Sequence, residues 1–275
     1  MSYTLLVVLQ GAVLLGIIAG ALGTFVLLRQ QSLLGDAISH AALPGIVLMF
    51  LCTHSKNPWI LLCGGALAGV IGVMCMHYIV ARTTLKKDAI LGIILSVFFG
   101  FGLVLMTVAQ KIPTSNQAIL SKFLFGNVAT LLEQDIIIIT ILAVIIGIVF
   151  TMCWKEITVY VFDPIFTQLI GYVPRTIELV LTILLVLAIV IGLQTVGVVL
   201  MSTMLIAPAA AARQWTERLL PMVILAGFFG GCSAVIGVYT SYVIDHVPTG
   251  PAIVVAASCI VAISLLCGPR RGVAR

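Results

Sequence analysis

Long apolar stretches separated by short polar connectors are the dominant pattern in this chain. Each stretch is close to the ~20 residues that a helix needs to cross ~30 Å of hydrocarbon. The charged residues divide the chain into nine of them, at about residues 4–28, 33–52, 59–80, 89–110, 135–153, 177–194, 196–212, 220–243 and 251–267. The pattern therefore predicts an all-α integral membrane protein, a polytopic bundle of eight to nine transmembrane helices.

The number of helices depends on one uncharged run, residues 179–212, which is too long for a single untilted helix. A turn between Gln194 and Gly197 would divide it in two. Glycines four residues apart allow close helix contacts in lipid, and three such pairs lie within the predicted spans: Gly16 and Gly20, Gly65 and Gly69, Gly227 and Gly231. We expect residues 1–275 to form one transmembrane domain, whose first apolar stretch is a span and not a removed leader.

Composition and charge narrow the class of protein further. The chain is 62% hydrophobic and 8% charged, with a mean hydropathy of +1.28, which excludes an ordinary soluble domain. The net charge of +5 is typical of a membrane protein with basic cytoplasmic connectors and does not indicate nucleic-acid binding. The seven cysteines contain no C-x-x-C pair, so we expect reduced thiols and not a disulfide framework.

Lysine and arginine indicate the orientation in the membrane, because cytoplasmic connectors are enriched in them. With nine spans, three of the 14 basic residues fall on one side, namely Lys56, Lys111 and Lys122. All the others fall on the opposite side. The bias predicts that the N-terminus lies outside and that the C-terminus is cytoplasmic.

Candidate chemistry is concentrated in the stretch SLLGDAISHAALPG, residues 32–45. On a helix Asp36 and His40 lie on one face, four residues apart. A carboxylate and an imidazole suit Mn, Fe(II) or Zn, whereas calcium and magnesium prefer oxygen ligands and copper(I) prefers sulfur. Two ligands bind loosely, as transport requires, and a second subunit across a two-fold axis would supply the same pair again.

An ordinary structural explanation for the same residues remains open. Asp36 could cap the start of a helix near Ser39, and a neighbouring carbonyl could satisfy His40. In a membrane, however, an ionisable residue costs ~2.5–3.5 kcal/mol and is usually retained for function. We expect the adjacent Pro44-Gly45 pair to kink or end the helix. The further candidates for a pathway or gate are Ser39, Pro44, Gly45 and Gln194.

The longest connector on the predicted cytoplasmic side covers residues 154–178. It contains the signals of a short amphipathic helix, with an acidic cap and a proline at its start and a glycine at its end. The residues that define this helix are Asp163, Pro164, Phe166, Leu169 and Gly171. Such a helix can dock in a groove of a partner protein or lie on the lipid surface, and the pattern alone favours neither.

The sequence contains no G-x-x-x-x-G-K-[ST] phosphate loop and no H-E-x-x-H motif. If transport uses ATP, we expect another polypeptide to hydrolyse it, and we expect this chain not to be an enzyme.

The segment LLRQQSLLGDAISHAALPGIVL resembles the signature of bacterial ABC permeases that import manganese, zinc or iron(II). The matching residues are Arg29, Ser32, Leu33, Gly35, Asp36, Ala37, Ile38, Ser39, His40, Ala41, Leu43, Pro44 and Gly45. Later blocks are similar to the same family, in the same order, at residues 86–105, 121–128, 162–172, 194–212 and 248–254. The similarity therefore covers nearly the whole chain.

The resemblance implies a multi-pass permease subunit of the bacterial inner membrane that works by alternating access. It implies that Asp36 and His40 are metal ligands and that the segment around 163–172 docks on an ATPase. The implied partners are a cytoplasmic ABC ATPase dimer, an extracytoplasmic metal-binding protein and a second permease subunit, identical or paralogous, besides membrane lipid. No permanently bound cofactor is expected; the metal ion is the transported substrate.

Two other functions are weighed against this expectation. In an ion- or proton-coupled secondary metal transporter, Asp36 and His40 would titrate as a relay, but such a carrier predicts inverted repeats that are not evident in the sequence. An intramembrane metalloenzyme would need more ligands and an acid or base partner.

Overall fold

Helices account for nearly all of the part of the chain that the computed structural model describes, which comprises residues 3–54, 57–111, 133–244 and 247–269. These ranges contain no β-strand. The helices are α1 (Tyr3–Leu28), α2 (Leu34–Thr53), α3 (Pro58–Arg82), α4 (Lys87–Gln110), α5 (Glu133–Met152), α6 (Trp154–Phe162), α7 (Pro164–Leu169), α8 (Pro174–Val196), α9 (Val198–Trp215), α10 (Leu219–Val243) and α11 (Thr249–Cys267). The all-α prediction is confirmed.

Eight of the described helices are long and apolar enough to cross a membrane, namely α1 to α5, α8, α10 and α11. The remaining predicted stretch, 196–212, corresponds to α9, a separate helix that contains Pro208 and is not among the eight. The predicted turn is present, because α8 ends at Val196 and Gly197 has a φ of +83°. A positive φ is far less costly for glycine than for other residues, so Gly197 permits the chain to start a new helix at once.

Some predictions fall outside the described residues. These are the block at 121–128 and the basic residues Lys56, Lys122, Arg270, Arg271 and Arg275. The orientation of the termini stays a prediction.

The chain is divided into two compact units. The first comprises Met1–Gln30, Val128–Leu185 and Thr203–Arg275, and the second comprises Gln31–Asn127 and Val186–Ser202. The division passes through the interiors of α8 and α9. The expectation of a single transmembrane domain, residues 1–275, stays a prediction.

In the second unit, α2 packs against α3 and α4. A Cβ atom added at Gly64 would lie 2.5 Å from the carbonyl oxygen of Gly45, so α2 and α3 touch backbone to backbone at this point. A Cβ at Gly102 would lie 3.1 Å from Cδ of Pro44. Small residues on α3 and α4 thus surround the middle of α2, as packing in lipid favours.

The prediction that Pro44-Gly45 could end the helix is wrong, because α2 continues from Leu34 to Thr53. Neighbouring helices can accommodate a proline within a membrane helix, and here Gly102 leaves room for the Pro44 ring.

In the first unit, α1 packs along α10. A Cβ atom at Gly16 would lie 2.8 Å from the carbonyl carbon of Gly230, and one at Gly20 would lie 2.8 Å from that of Ala226. The predicted pair Gly16 and Gly20 therefore mediates close backbone contact. The pair Gly65 and Gly69 instead meets side chains, at 3.0 and 3.1 Å, and the backbone contact of α3 is made by Gly64.

We predict that Gly45→Ala destabilises the protein by about 1–3 kcal/mol, because the added methyl group overpacks the contact with Gly64 and Ala68. The matched control is Gly92→Ala on α4, where a Cβ would meet nothing within 4 Å. Thermal unfolding of the purified variants in detergent measures the difference. Equal melting temperatures for the two variants would contradict the close contact of α2 with α3.

Candidate functional site

Asp36 lies in the first turn of α2 and is partly exposed. The N-cap position is occupied by Leu33, whose side chain makes no capping hydrogen bond. Asp36 is therefore already inside the helix, and the alternative that it is the N-cap is wrong. An acid in the first turn still interacts favourably with the helix dipole.

His40 lies one turn further along α2 and is half-buried. Its ring packs edge to face against Phe99 of α4, with 4.5 Å between the ring centroids and an interplanar angle of 67°. The Asp36 carboxylate is its electrostatic neighbour. The buried Nδ1 atom has no hydrogen-bond partner within the described ranges. Among the described residues, no carbonyl group accepts a hydrogen bond from this nitrogen, so the ordinary structural explanation for His40 is not observed.

Ser39 precedes His40 and is only 2% exposed. Among the described residues its Oγ atom likewise has no hydrogen-bond partner. Leaving a buried polar group unpaired costs about 1–3 kcal/mol. Two adjacent unpaired polar atoms beside a carboxylate are therefore expensive to maintain, and a bound ion is one way to compensate their cost.

Within the described part of the chain, no group of three or more His, Cys, Asp or Glu side chains is placed to hold a metal ion. Asp36 and His40 therefore form a pair without a third ligand from those residue types. Ligands that complete a metal site would come from other groups, such as backbone carbonyls, water or another subunit.

The remaining pathway candidates occupy different positions. Pro44 and Gly45 lie one turn beyond His40 and take part in the packing of α2. Gln194 lies in the last turn of α8, three residues before Gly197. A gating role for any of them stays a prediction. The sequence pattern did not indicate Phe99, because its contact with His40 depends on the packing of α4 against α2.

The helix predicted between Asp163 and Gly171 is present as α7. The carboxylate oxygen Oδ1 of Asp163 accepts hydrogen bonds from the backbone N–H groups of Ile165 and Phe166, each at 2.9 Å. Pro164 occupies the first helical turn. Gly171 ends the segment with a φ of +93°, in the left-handed region that favours glycine.

The surface of α7 is strongly divided between its two faces. Thr167 is fully buried, and its hydroxyl donates a hydrogen bond of 2.8 Å to the carbonyl oxygen of Asp163. On the other face, Ile165 is 73% exposed, Phe166 50% and Leu169 80%. Clustered exposed apolar side chains of this kind mark contact sites for proteins or membranes.

The connector between α5 and α8 differs from the prediction in one respect. It contains a further helix, α6 (Trp154–Phe162), before α7 begins. Its hydrophobic residues Ile157 and Tyr160 are buried. The connector is therefore anchored on one side and exposed on the other.

The fold and the paired polar residues define a polytopic helical membrane protein with one ionisable pair on its second span. A model of the ABC 3 transport family matches residues 1–268. The chain belongs to this family, and it is a multi-pass protein of the bacterial plasma membrane.

Its relatives include proteins named for metal transport. The zinc transport system membrane protein TroC of Treponema pallidum is 45% identical over 272 residues, which cover 99% of this chain and 91% of TroC. The manganese transport system membrane protein MntC of Bacillus subtilis is 45% identical over 267 residues, which cover 97% of this chain but 61% of MntC. The chain therefore spans nearly all of one relative and less than two thirds of the other.

A solved structure is similar to the chain over almost its full length. It is PsaBC from Streptococcus pneumoniae in complex with Fab, with a TM-score of 0.85 and 31% sequence identity. The similarity covers 98% of this chain and 94% of the other. The chain therefore shares its fold with this structure.

We predict that Asp163→Ala frays α7, whereas Asp163→Asn leaves it intact. Asparagine keeps a side-chain oxygen for the N–H groups of Ile165 and Phe166, and the loss of such a cap costs about 0.5–2 kcal/mol. Hydrogen–deuterium exchange at these two amides measures the effect. Equal exchange in the alanine and asparagine variants would show that the cap does not stabilise α7.

Proposed function

We propose that this chain is the membrane permease subunit of an ABC importer for a divalent transition-metal ion, Mn, Zn or Fe(II). The supporting observation is the pair Asp36 and His40 on α2, in which Nδ1 of His40 is buried without a partner among the described residues. Membership of the ABC 3 transport family and relatives named for zinc and manganese transport support the class of substrate.

A carboxylate oxygen and an imidazole nitrogen suit these three ions. Two ligands from one chain would hold an ion weakly, which suits a site that must release it. A second permease subunit related by a two-fold axis, identical or paralogous, would contribute its own pair and bring the number of ligands to four. Phe99 packs against the His40 ring, a contact that would limit the rotation of the imidazole before an ion binds.

Sequence identity does not distinguish between the metals. The chain is 45% identical both to a protein named for zinc and to one named for manganese. Zinc binds more tightly than manganese or iron(II) to almost any site of this kind. Selection of manganese over zinc would therefore depend on coordination geometry and not on the two ligand types.

Transport in this proposal proceeds by alternating access. An extracytoplasmic metal-binding protein delivers the ion, and Asp36 and His40 hold it briefly. A cytoplasmic ABC ATPase dimer supplies the energy, since this chain has no phosphate loop and catalyses no covalent reaction. The exposed apolar face of α7, formed by Ile165, Phe166 and Leu169, fits a hydrophobic groove of that ATPase.

We predict that Asp36→Ala and His40→Ala each abolish metal uptake, because each removes one of the two ligands. ATP-dependent uptake of Mn, Zn and Fe(II) into proteoliposomes that contain the chain and its ATPase is the measurement. The control is His54→Ala, which changes an exposed histidine beyond the end of α2 and should leave uptake unchanged. Normal uptake by either ligand variant would exclude the proposed site, and uptake driven by a proton gradient without ATP would favour a secondary transporter.

We also predict that Gly171→Ala uncouples ATP hydrolysis from transport. Alanine at a φ of +93° would strain the end of α7 and displace its apolar face. ATP hydrolysis should persist while metal uptake per ATP falls at least several-fold, and Asp163→Ala should have the same effect. Gly100→Ala, at a helical position with open space around it, serves as the control. Unchanged uptake per ATP in Gly171→Ala would argue against coupling through α7.

A further inference from the structure

Arg29 lies just beyond the end of α1 and contacts two separated points of the connector that carries α7. Its Nη2 atom forms an ion pair with Oε1 of Glu178, near the start of α8. Its guanidinium carbon lies 5.1 Å from the centroid of the Tyr160 ring, on α6. The Arg29 side chain is 16% exposed and that of Glu178 26%, while Tyr160 is 4% exposed. The three side chains are thus largely withdrawn from solvent.

The third side of this cluster joins Tyr160 and Glu178, whose side chains are electrostatic neighbours. Burial raises the pKa of Tyr160; the Arg29 guanidinium opposes this shift and the Glu178 carboxylate adds to it. The phenol stays protonated at neutral pH, so in this pair its hydroxyl is the hydrogen-bond donor and the carboxylate is the acceptor. Arg29, Tyr160 and Glu178 each interact with both of the others.

The sequence positions of these residues place the cluster at the two ends of the segment that contains α7. Tyr160 precedes the α7 cap, Asp163, by three residues, and Glu178 follows the end of α7. The Arg29 guanidinium therefore contacts the residues on both sides of segment 161–177, which we call the α7 loop, and closes the loop at its base. Asp163 N–H donates to the carbonyl oxygen of Val159, just before this segment, at 2.9 Å. Within the segment, Tyr172 N–H donates to that of Thr167 at 3.1 Å. Hydrogen bonds thus continue from the closed base into α7.

Arg29 also stands at the start of the short connector that leads to α2. The next residue, Gln30, has a φ of +55°, a conformation that is uncommon for residues other than glycine. The chain changes from one compact unit to the other directly after Gln30. Asp36 follows Arg29 by seven residues, so the closed base of the α7 loop is covalently close to the candidate metal ligands.

We propose that the Arg29–Tyr160–Glu178 cluster is a positioning site of the transport cycle, which fixes both ends of the α7 loop to the end of α1. Displacement of α7 by an ATPase would then be passed to the end of α1, where the connector to α2 begins. This inference rests on the proposed function, in which α7 docks on the ATPase. A solvent-exposed ion pair would be too weak for this task, but charge-assisted hydrogen bonds in a largely buried cluster are considerably stronger.

The first experiment needs neither ATPase nor metal. Hydrogen–deuterium exchange of residues 163–172 is compared between the wild-type chain and three variants: Arg29→Met, Glu178→Gln and the double variant. We expect roughly tenfold faster exchange in each variant, with the double variant no faster than Arg29→Met, because both substitutions disrupt the same cluster. Additive effects, or no change, would overturn the proposal.

The control is Arg82→Met. Arg82 also ends a helix beside an aromatic ring, with its guanidinium carbon 5.6 Å from the centroid of Tyr78, but it does not close the α7 loop. Its variant should leave exchange in 163–172 unchanged. If Arg29→Met does not fold, Tyr160→Phe replaces it. Tyr160→Phe removes only a hydroxyl group and Glu178→Gln only a charge, and these two single variants are compared with their double variant in the same way.

The second experiment measures metal uptake per ATP hydrolysed in proteoliposomes that contain the chain with its ATPase. Arg29→Met should retain hydrolysis and lose at least several-fold in uptake per ATP, whereas Arg82→Met should retain both. A wild-type ratio in Arg29→Met would overturn the positioning role and leave the proposed function intact. Wild-type vesicles without ATP-dependent uptake would refute the proposed function itself, whatever the exchange rates of the loop.

Discussion

Hydrocarbon offers no hydrogen-bond partners, and the rest of this structure depends on that constraint. Each backbone polar group in a span must be satisfied within the protein, so the spans are helices. Their hydroxyl groups follow the same rule: Thr24 donates to the carbonyl oxygen of Gly20 at 3.2 Å, and Ser233 donates to that of Gly230 at 2.8 Å. Against this background, the unpaired atoms of Ser39 and His40 among the described residues are conspicuous, which makes α2 the best candidate for contact with a polar substrate.

Features governed by local chemistry were predictable from the sequence. The cap at Asp163, the stop at Gly171 and the turn at Gly197 each depend on a residue type and its immediate neighbours, and all are present. The spans were predictable because apolar length follows from membrane thickness. Asp36 and His40 were identifiable because ionisable residues are rare in such stretches, although their role as ligands stays a proposal.

Features governed by packing were not predictable. Whether Pro44 ends α2 depends on the space that Gly102 provides. The contact of α2 with α3 is made by Gly64 because Gly64, and not Gly65, lies on the side of α3 that meets the backbone of α2. The pairing of Phe99 with His40 requires α4 to lie beside α2. The cluster of Arg29, Tyr160 and Glu178 joins residues that are up to 149 positions apart, a separation that no local pattern reveals.

The exposed apolar face of α7 also has a consequence for biogenesis. Ile165, Phe166 and Leu169 would remain uncovered on any copy of the chain made in excess of the protein that covers them. Uncovered apolar surface promotes aggregation and makes unassembled subunits targets for cellular quality control. Where α7 docks on an ATPase, as proposed, the abundance of the permease would be limited by the supply of its partner, and matched synthesis of the two subunits would be advantageous to the cell.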